Sequence, residues 1–389
     1  MPEELAASVT AERLRAQLLS GAPAGSAGDV VRRLLAVQAQ DPRGARLAVR
    51  ARSHGLHACD VDRPVSDERS LVVSWLNRGT LHLVDADDYW WLHELTAPAF
   101  VSTNARRLDQ EGVPPAQAER AVATIEHALE SDGPSTRAQL RERVAAIGVR
   151  VEGQAMVHLL VLATLRGLVV RGPIVGSEQA FVLVRDWLGT PPGRFERETA
   201  LGELAVRYLR GHGPATEKDL AKWAGLPQRD VRLGLRAIAA RLDQRPDGLV
   251  DLSSRRDGAD RAPEQGAVLS PPRLLGAFDP LLHGWVSREP ILGEHTSVVV
   301  GNGMFRPFAL VAGRAVATWM WSKNGLELTP FAPLPASVER ALQDDAADVA
   351  RFLSGPACAP GAAGQDNGAH EPARPPERPR PRRGRSAHP

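Results

Sequence analysis

Two capping signatures constrain this chain more than anything else in it. Thr136 and Gln139 stand three residues apart. At that spacing a hydroxyl and an amide satisfy each other's free backbone N–H groups at a helix start. Leu140, Val144 and Ile147 then recur on one face, and Gly148 stops the helix. A second helix is expected at 152–165. After it, LVVRGP and AFVLVRDW read as the two strands of a hairpin. Two helices followed by a hairpin are the plan of a winged helix.

The plan recurs. ALGELAVRYLRGHG reads as a helix ended by glycine, and Thr216 with Asp219 repeats the capping spacing at the head of DLAKWAG. Leu226-Pro227 turns the chain, and RDVRLGLRAIAARL places Val231, Leu235 and Ile238 at helical spacing before the strand GLVDLS. Helix, glycine turn, helix and strand make a helix-turn-helix signature. In the amino-terminal part, helices are expected at 10–20, 28–37, 42–53 and 67–77. RGTLHLVD is then a strand, and Asp85 starts a helix over DADDYWWLHEL. Trp75, Trp90 and Trp91 are assigned to the core. The reading is an α+β fold with three tandem winged-helix units at 1–130, 131–195 and 196–262. From 263 to 353, short apolar runs punctuated by glycine, such as FRPFALVAG and RAVATWMW, predict a β-barrel-like domain closed by a helix. From 354 to 389, Gly, Pro, Ala and Arg dominate, and a disordered tail is expected.

At 389 residues the chain is long enough for several compact units. Cys59 and Cys358 fit no metal or redox spacing, so a reducing, cytoplasmic and nucleoid-associated setting is the simplest reading. The first residues are acidic and mixed, unlike a secretory leader. The longest apolar run, AMVHLLVLATL, is too short to span a bilayer. Net charge is +2, of which the last twenty residues supply +4, so the rest sums to −2. Any affinity for nucleic acid must therefore come from local clusters. The 45 arginines against 3 lysines favour bidentate contacts to phosphate, though codon bias would give the same excess. His54, His57 and Cys59 offer three ligands without a fourth, and the GNG at 301–303 lacks the setting of a dinucleotide fingerprint. No metal and no cofactor are expected.

The stretch LLAVQAQDPRGARLAVRAR carries the chemistry. Gln38 and Gln40 alternate at what reads as a helix end, either solvated or a pair of neutral hydrogen-bonding groups aimed at one target beside a phosphate-binding surface. Arg43, Arg46, Arg50 and Arg52 follow, suited to phosphates or to a solvated helix face. Asp41 admits two readings, a general base or the cap of the next helix, and its place before Pro42 favours the cap. In FDPLLHGWVSR, Asp279, His283 and Arg288 are candidates for a nucleic-acid surface, against a turn-forming aspartate and a half-buried histidine. The GNG turn would present Met304, Phe305 and Arg306 to a groove. Arg229, Arg232 and Arg236 invite the same two readings as the earlier arginines.

Four stretches together, LLAVQAQ, RGTLHLV, FDPLLHGW and GNGMFRPFALVAGRAVATW, resemble the winged helix-turn-helix DNA glycosylases of the AlkZ/YcaQ superfamily. The likeness spans about residues 8–355. It implies tandem winged helices with a carboxy-terminal β-domain, acting on double-stranded DNA that carries alkylated or crosslinked purines. One branch of that superfamily has glutamine, any residue, aspartate; the other has glutamine, an apolar residue, glutamine. Gln38-Ala39-Gln40 resembles the second, which includes enzymes that unhook crosslinks and protect producers of azinomycin-type toxins. The resemblance implies Gln38 and Gln40 as catalytic residues. It implies a monofunctional glycosylase working without metal, as a monomer and away from membranes. The competing class is a winged-helix transcription regulator, but the sequence offers no obvious dimerisation helix.

Overall fold

The computed structural model describes residues 3–175, 178–255, 270–323 and 325–355. The tail expected to be disordered lies outside them from 356 onward. Among the described residues no helix is long and apolar enough to cross a membrane.

The expected capping boxes form: each threonine hydroxyl accepts from the backbone N–H three residues on, and Gln139 and Asp219 reach back. They start helices Arg137–Ala146 and Glu217–Ala224. Helices Ala155–Leu165 and Gln228–Ala237 follow, each ahead of a two-stranded hairpin.

Five strands make one antiparallel sheet in the order Val37–Gln38, Leu81–Asp85, Leu71–Trp75, Val169–Val175, Glu178–Leu183. Gln38 pairs with His82, and His82 with Ser74; Val37 pairs with Leu83, and Leu83 with Val73. Partners across a sheet share a face. Gln38, His82 and Ser74 therefore point one way, and Val37, Leu83 and Val73 point into an apolar layer with Ala39, Val49 and Val61.

One element departs from expectation. The helix expected at 67–77 is the strand Leu71–Trp75, and the helix in this region is Cys59–Ser66. The strand is buried at all five positions. A strand covered on both faces has no polar side, so its apolar run carries no period that separates it from helix. Trp75 is thus a core residue on a strand, while Trp91 is buried on the helix Ala86–Thr96.

The carboxy-terminal sheet is a second correction. It has four strands in the order Gly325–Pro330, Arg314–Ser322, Phe308–Val311, Arg273–Leu275, and among the described residues no closed barrel forms. Helix Ala336–Leu353 shares a core with it instead, with Leu342, Ala346, Val349 and Phe352 among Leu274, Ala309, Ala317 and Trp319. A sheet covered by a helix has one face buried without curling onto itself.

The helix after the glutamines, Pro42–Arg50, docks on the chain that leads out of this sheet. Gly44 is obligatory there, because a β-carbon would lie 2.3 Å from the Ala277 carbonyl oxygen. Arg50 and Arg52, expected on phosphates, are buried. Arg50 donates to Asp345 at 2.9 Å, to Asp348 at 3.2 Å and to the Leu274 carbonyl at 3.1 Å. Arg52 forks onto both oxygens of Asp279 at 2.7 and 2.9 Å and donates to Gln17 at 3.0 Å. Neither Arg52 nor Asp279 has any exposed surface. Asp279, also expected at the DNA, is therefore the counter-ion of Arg52 and caps the turn at Leu281.

Removing one partner of a buried pair strands the other charge, which costs about 3–5 kcal/mol. Asp279→Ala should lower unfolding stability by that amount in urea titrations, and Gly44→Ala should also destabilise. An Asp279→Ala protein as stable as wild type would show that the pair does not hold the two segments together.

Candidate active site

Gln38 ends a two-residue strand, Gln40 lies two residues beyond it, and the two amides differ in exposure. Gln38 is 6% exposed, whereas Gln40 is open to solvent. Gln38 does not face apolar packing: its side-chain oxygen accepts from the Arg78 guanidinium at 3.1 Å. Guanidinium has only donors, so the contacting atom of Gln38 has to be Oε1. The Gln40 Oε1 accepts from the Leu81 backbone N–H at a loose 3.4 Å. Each oxygen has a second lone pair, and the Gln40 oxygen lies at an exposed bond. Asp41 is the cap of the next helix, accepting from the Arg43 N–H at 3.1 Å, as its place before proline predicts.

Arg78 sits in a tight link between strands with φ 57°, a left-handed conformation uncommon outside glycine. Gly225 makes room for it: a β-carbon there would lie 2.9 Å from the Arg78 nitrogen. The guanidinium also donates to the Trp223 carbonyl at 2.6 Å. Burial first, and the nearby Arg288 cation second, lower its pKa to about 10.

His82, across the ladder from Gln38, is fully enclosed. Its Nδ1–H donates to the Thr80 carbonyl at 2.9 Å. Burial first, and the Arg78 charge second, hold its pKa at about 3, so it is neutral. His283 is neutral for the same reasons: desolvation dominates, and the Arg78, Arg288 and Lys222 cations add repulsion. Its Nε2 is buried without a hydrogen-bond partner. Its ring meets Phe305 edge-on at 4.5 Å and lies parallel to Phe278 at 6.3 Å. Phe278 is a second residue with left-handed φ, 58°.

The remaining expected residues divide. Arg288 is half-buried, with its guanidinium 5.0 Å above the Phe305 ring and its Nε donating to the Leu282 carbonyl at 2.7 Å. Arg306 is exposed after the hairpin Val299–Val300 with Met304–Phe305, whose Val300 and Met304 also face solvent. Arg43 is exposed; Arg46 pairs with Asp62 at 2.7 Å. Arg232 is held by Glu217 at 2.7 Å. The structure thus connects Gln38 through Arg78 to His283 and Arg288, sets Gln40 against Leu81, and takes Arg50, Arg52 and Asp279 into the interior. Sequence reasoning missed Arg78, His82 and Lys222. The first two lie in RGTLHLV, where an arginine before glycine at a tight turn and a histidine within an apolar strand were the available signals.

A hollow of about 130 Å³ lined by Ala39, Pro42, Ala45, Val73 and Leu83 lies behind the glutamine strand, on the other face of the sheet.

The family described as DNA glycosylase AlkZ-like matches residues 31–352. An "interstrand DNA cross-link repair glycosylase" of Streptomyces sahachiroi is 29% identical over 359 residues, covering 88% of this chain and 95% of the relative. The solved structure of the Streptomyces sahachiroi DNA glycosylase AlkZ is similar with a TM-score of 0.71 and 26% identity, over 89% of this chain and 96% of that one.

A buried neutral histidine ties stability to pH. His82 has its ordinary value, near 6.5, when unfolded and about 3 when folded. The unfolded chain therefore takes up the proton first, and the contribution is complete above pH 6.5 and lost as pH falls toward 3. The slope is at most about 1.4 kcal/mol per pH unit. Urea titrations at pH 6.5 and 5 should show His82→Gln losing less stability over that interval than wild type; equal losses would mean that His82 is charged in the fold.

Proposed function

The chain belongs to the AlkZ-like DNA glycosylase family, and from that premise we propose that it hydrolyses the N-glycosidic bond of N7-alkylated purines in duplex DNA and unhooks interstrand crosslinks. It acts as a monofunctional, monomeric enzyme, in DNA repair or in protection from a DNA-alkylating natural product. The observation that carries this reading is the pair of carboxamides two residues apart, Gln38 held by Arg78 and Gln40 only loosely held by the Leu81 N–H.

Alkylation at N7 makes the purine cationic, so the base departs without a proton. What remains is to stabilise an oxocarbenium-like sugar and to deliver water. Neither needs a titrating base, and glutamine supplies dipoles and positioning. Gln40 is the water-positioning residue, because it is exposed and its oxygen is only loosely held. Gln38, anchored by Arg78, fixes its amide dipole beside the sugar. An interstrand crosslink hinders full extrusion of the base. A site set on a strand, with one amide already open to solvent, suits a lesion that stays near the duplex. Arg43, Arg288, Arg306 and His283 serve the DNA surface, Arg43 and Arg306 being the exposed cations among them.

Single-turnover base release from 7-methylguanine DNA and from a crosslinked duplex tests this. Gln38→Ala and Gln40→Ala should each slow release by about 100- to 1000-fold, the scale for one directed polar group, while duplex affinity holds. A wild-type protein that frees no base from either substrate would overturn the assignment. The histidine shifts add a pH test, because His82 and His283 stay neutral through pH 6.5–8 and Arg78 stays charged. Release should be flat across that range; a rate rising tenfold per unit would instead mark a general base.

A further inference from the structure

Lys222 belongs to helix Glu217–Ala224, Arg78 to the turn between two strands, and Arg288 to the loop beyond His283. Short contacts tie the three together. Arg78 donates to the Trp223 carbonyl, one residue after Lys222. Lys222 Nζ donates to the Val286 carbonyl at 3.0 Å, two residues before Arg288. Arg288 donates to the Leu282 carbonyl beside His283, which shares the Phe305 ring with it. Among the described residues the hydrogen-bond and ring partners of these three side chains are neutral: backbone carbonyls, the Gln38 amide and one aromatic ring. No ion pair joins any of them to a carboxylate among the described residues. Arg50, Arg52 and Arg207 by contrast each hold a carboxylate, whereas Arg13 and Arg171 are, like Arg288, held by a carbonyl and an aromatic face.

Two half-buried arginines and an exposed lysine, with only the Asp219 carboxylate acting on Lys222 from beyond ion-pair distance, are unfavourable together, and each lowers the proton affinity of a neighbour. Arg78 holds Gln38, so positive charge beside a sugar faced by that amide would oppose the reaction. Both problems vanish if an anion with several acceptor oxygens sits among them. We propose that Arg78, Lys222 and Arg288 together bind one phosphodiester of the lesion strand, next to the sugar faced by Gln38 and Gln40. The inference rests on the glycosylase reading for the identity of the strand, and it assigns roles to Arg78 and Lys222. A bound phosphodiester lies between the cations and the sugar, so the field felt at the anomeric carbon changes from repulsive to attractive. It also joins Arg78, the partner of Gln38, to the backbone of the nucleotide being cut.

The test is a neutral-phosphate walk. A set of duplexes carries one methylphosphonate each, stepped along the nucleotides flanking a single 7-methylguanine, and binding is measured with wild type, Lys222→Met, Arg288→Met and the double variant. Melting curves confirm that each variant is folded; the exposed Lys222 is the safest to change. For wild type, one position should weaken binding at least about tenfold more than its neighbours, the scale of a lost charged hydrogen bond. At that position the variants should lose nothing further, while at every other position they should lose about tenfold. The salt slope should fall by about 0.9 in either single variant and no further in the double. Losses that add to every methylphosphonate, a double-variant slope lower by about 1.8, or no sensitive position would overturn the site. Binding is the readout, so the two readings separate. One sensitive position without base release sustains the phosphate site and sinks the glycosylase assignment; release without such a position does the reverse.

Discussion

The Arg52–Asp279 pair is the contact on which the rest of the site depends. Arg52 closes the helix that follows the glutamines, and Asp279 opens the turn that leads to His283. Those segments are more than two hundred residues apart in sequence, and the two side chains are fully enclosed. A buried ion pair adds little net stability compared with apolar packing, but its geometry is demanding and its loss is severe. It therefore works as a register device. With the backbone approach at Gly44 and Ala277, it sets the loop bearing Phe278 and His283 against the element bearing Gln38 and Gln40.

The electrostatics of the site follow from that docking. Burial removes the charge from His82 and His283, while Arg78, Lys222 and Arg288 remain cations. The result is a polar surface with fixed dipoles, positive potential and no group that titrates near neutrality among those whose values shift. Such a surface fits a substrate that brings its own leaving-group charge and needs orientation more than proton transfer.

Much of this was legible in advance where the cause is local. The capping boxes at Thr136 and Thr216 and the Asp41 cap rest on hydrogen bonds within three residues, and all three form. Leu71–Trp75 was misread as helix because complete burial erases the polar half of the pattern. The β-domain was read as barrel-like because strand content does not reveal whether an edge pairs with another edge or a helix covers the face.

The sequence by itself determined which residues carry amides, charges and caps, since these depend on side-chain chemistry and near neighbours. Which arginines meet solvent was decided only by the tertiary structure. Arg43, Arg46, Arg50 and Arg52 look alike in a row, yet the first is exposed, the second pairs with Asp62 and the last two are buried against carboxylates from the far end of the chain. A charge takes its role from its distant counter-ion, and that partner is chosen by how the chain folds back on itself.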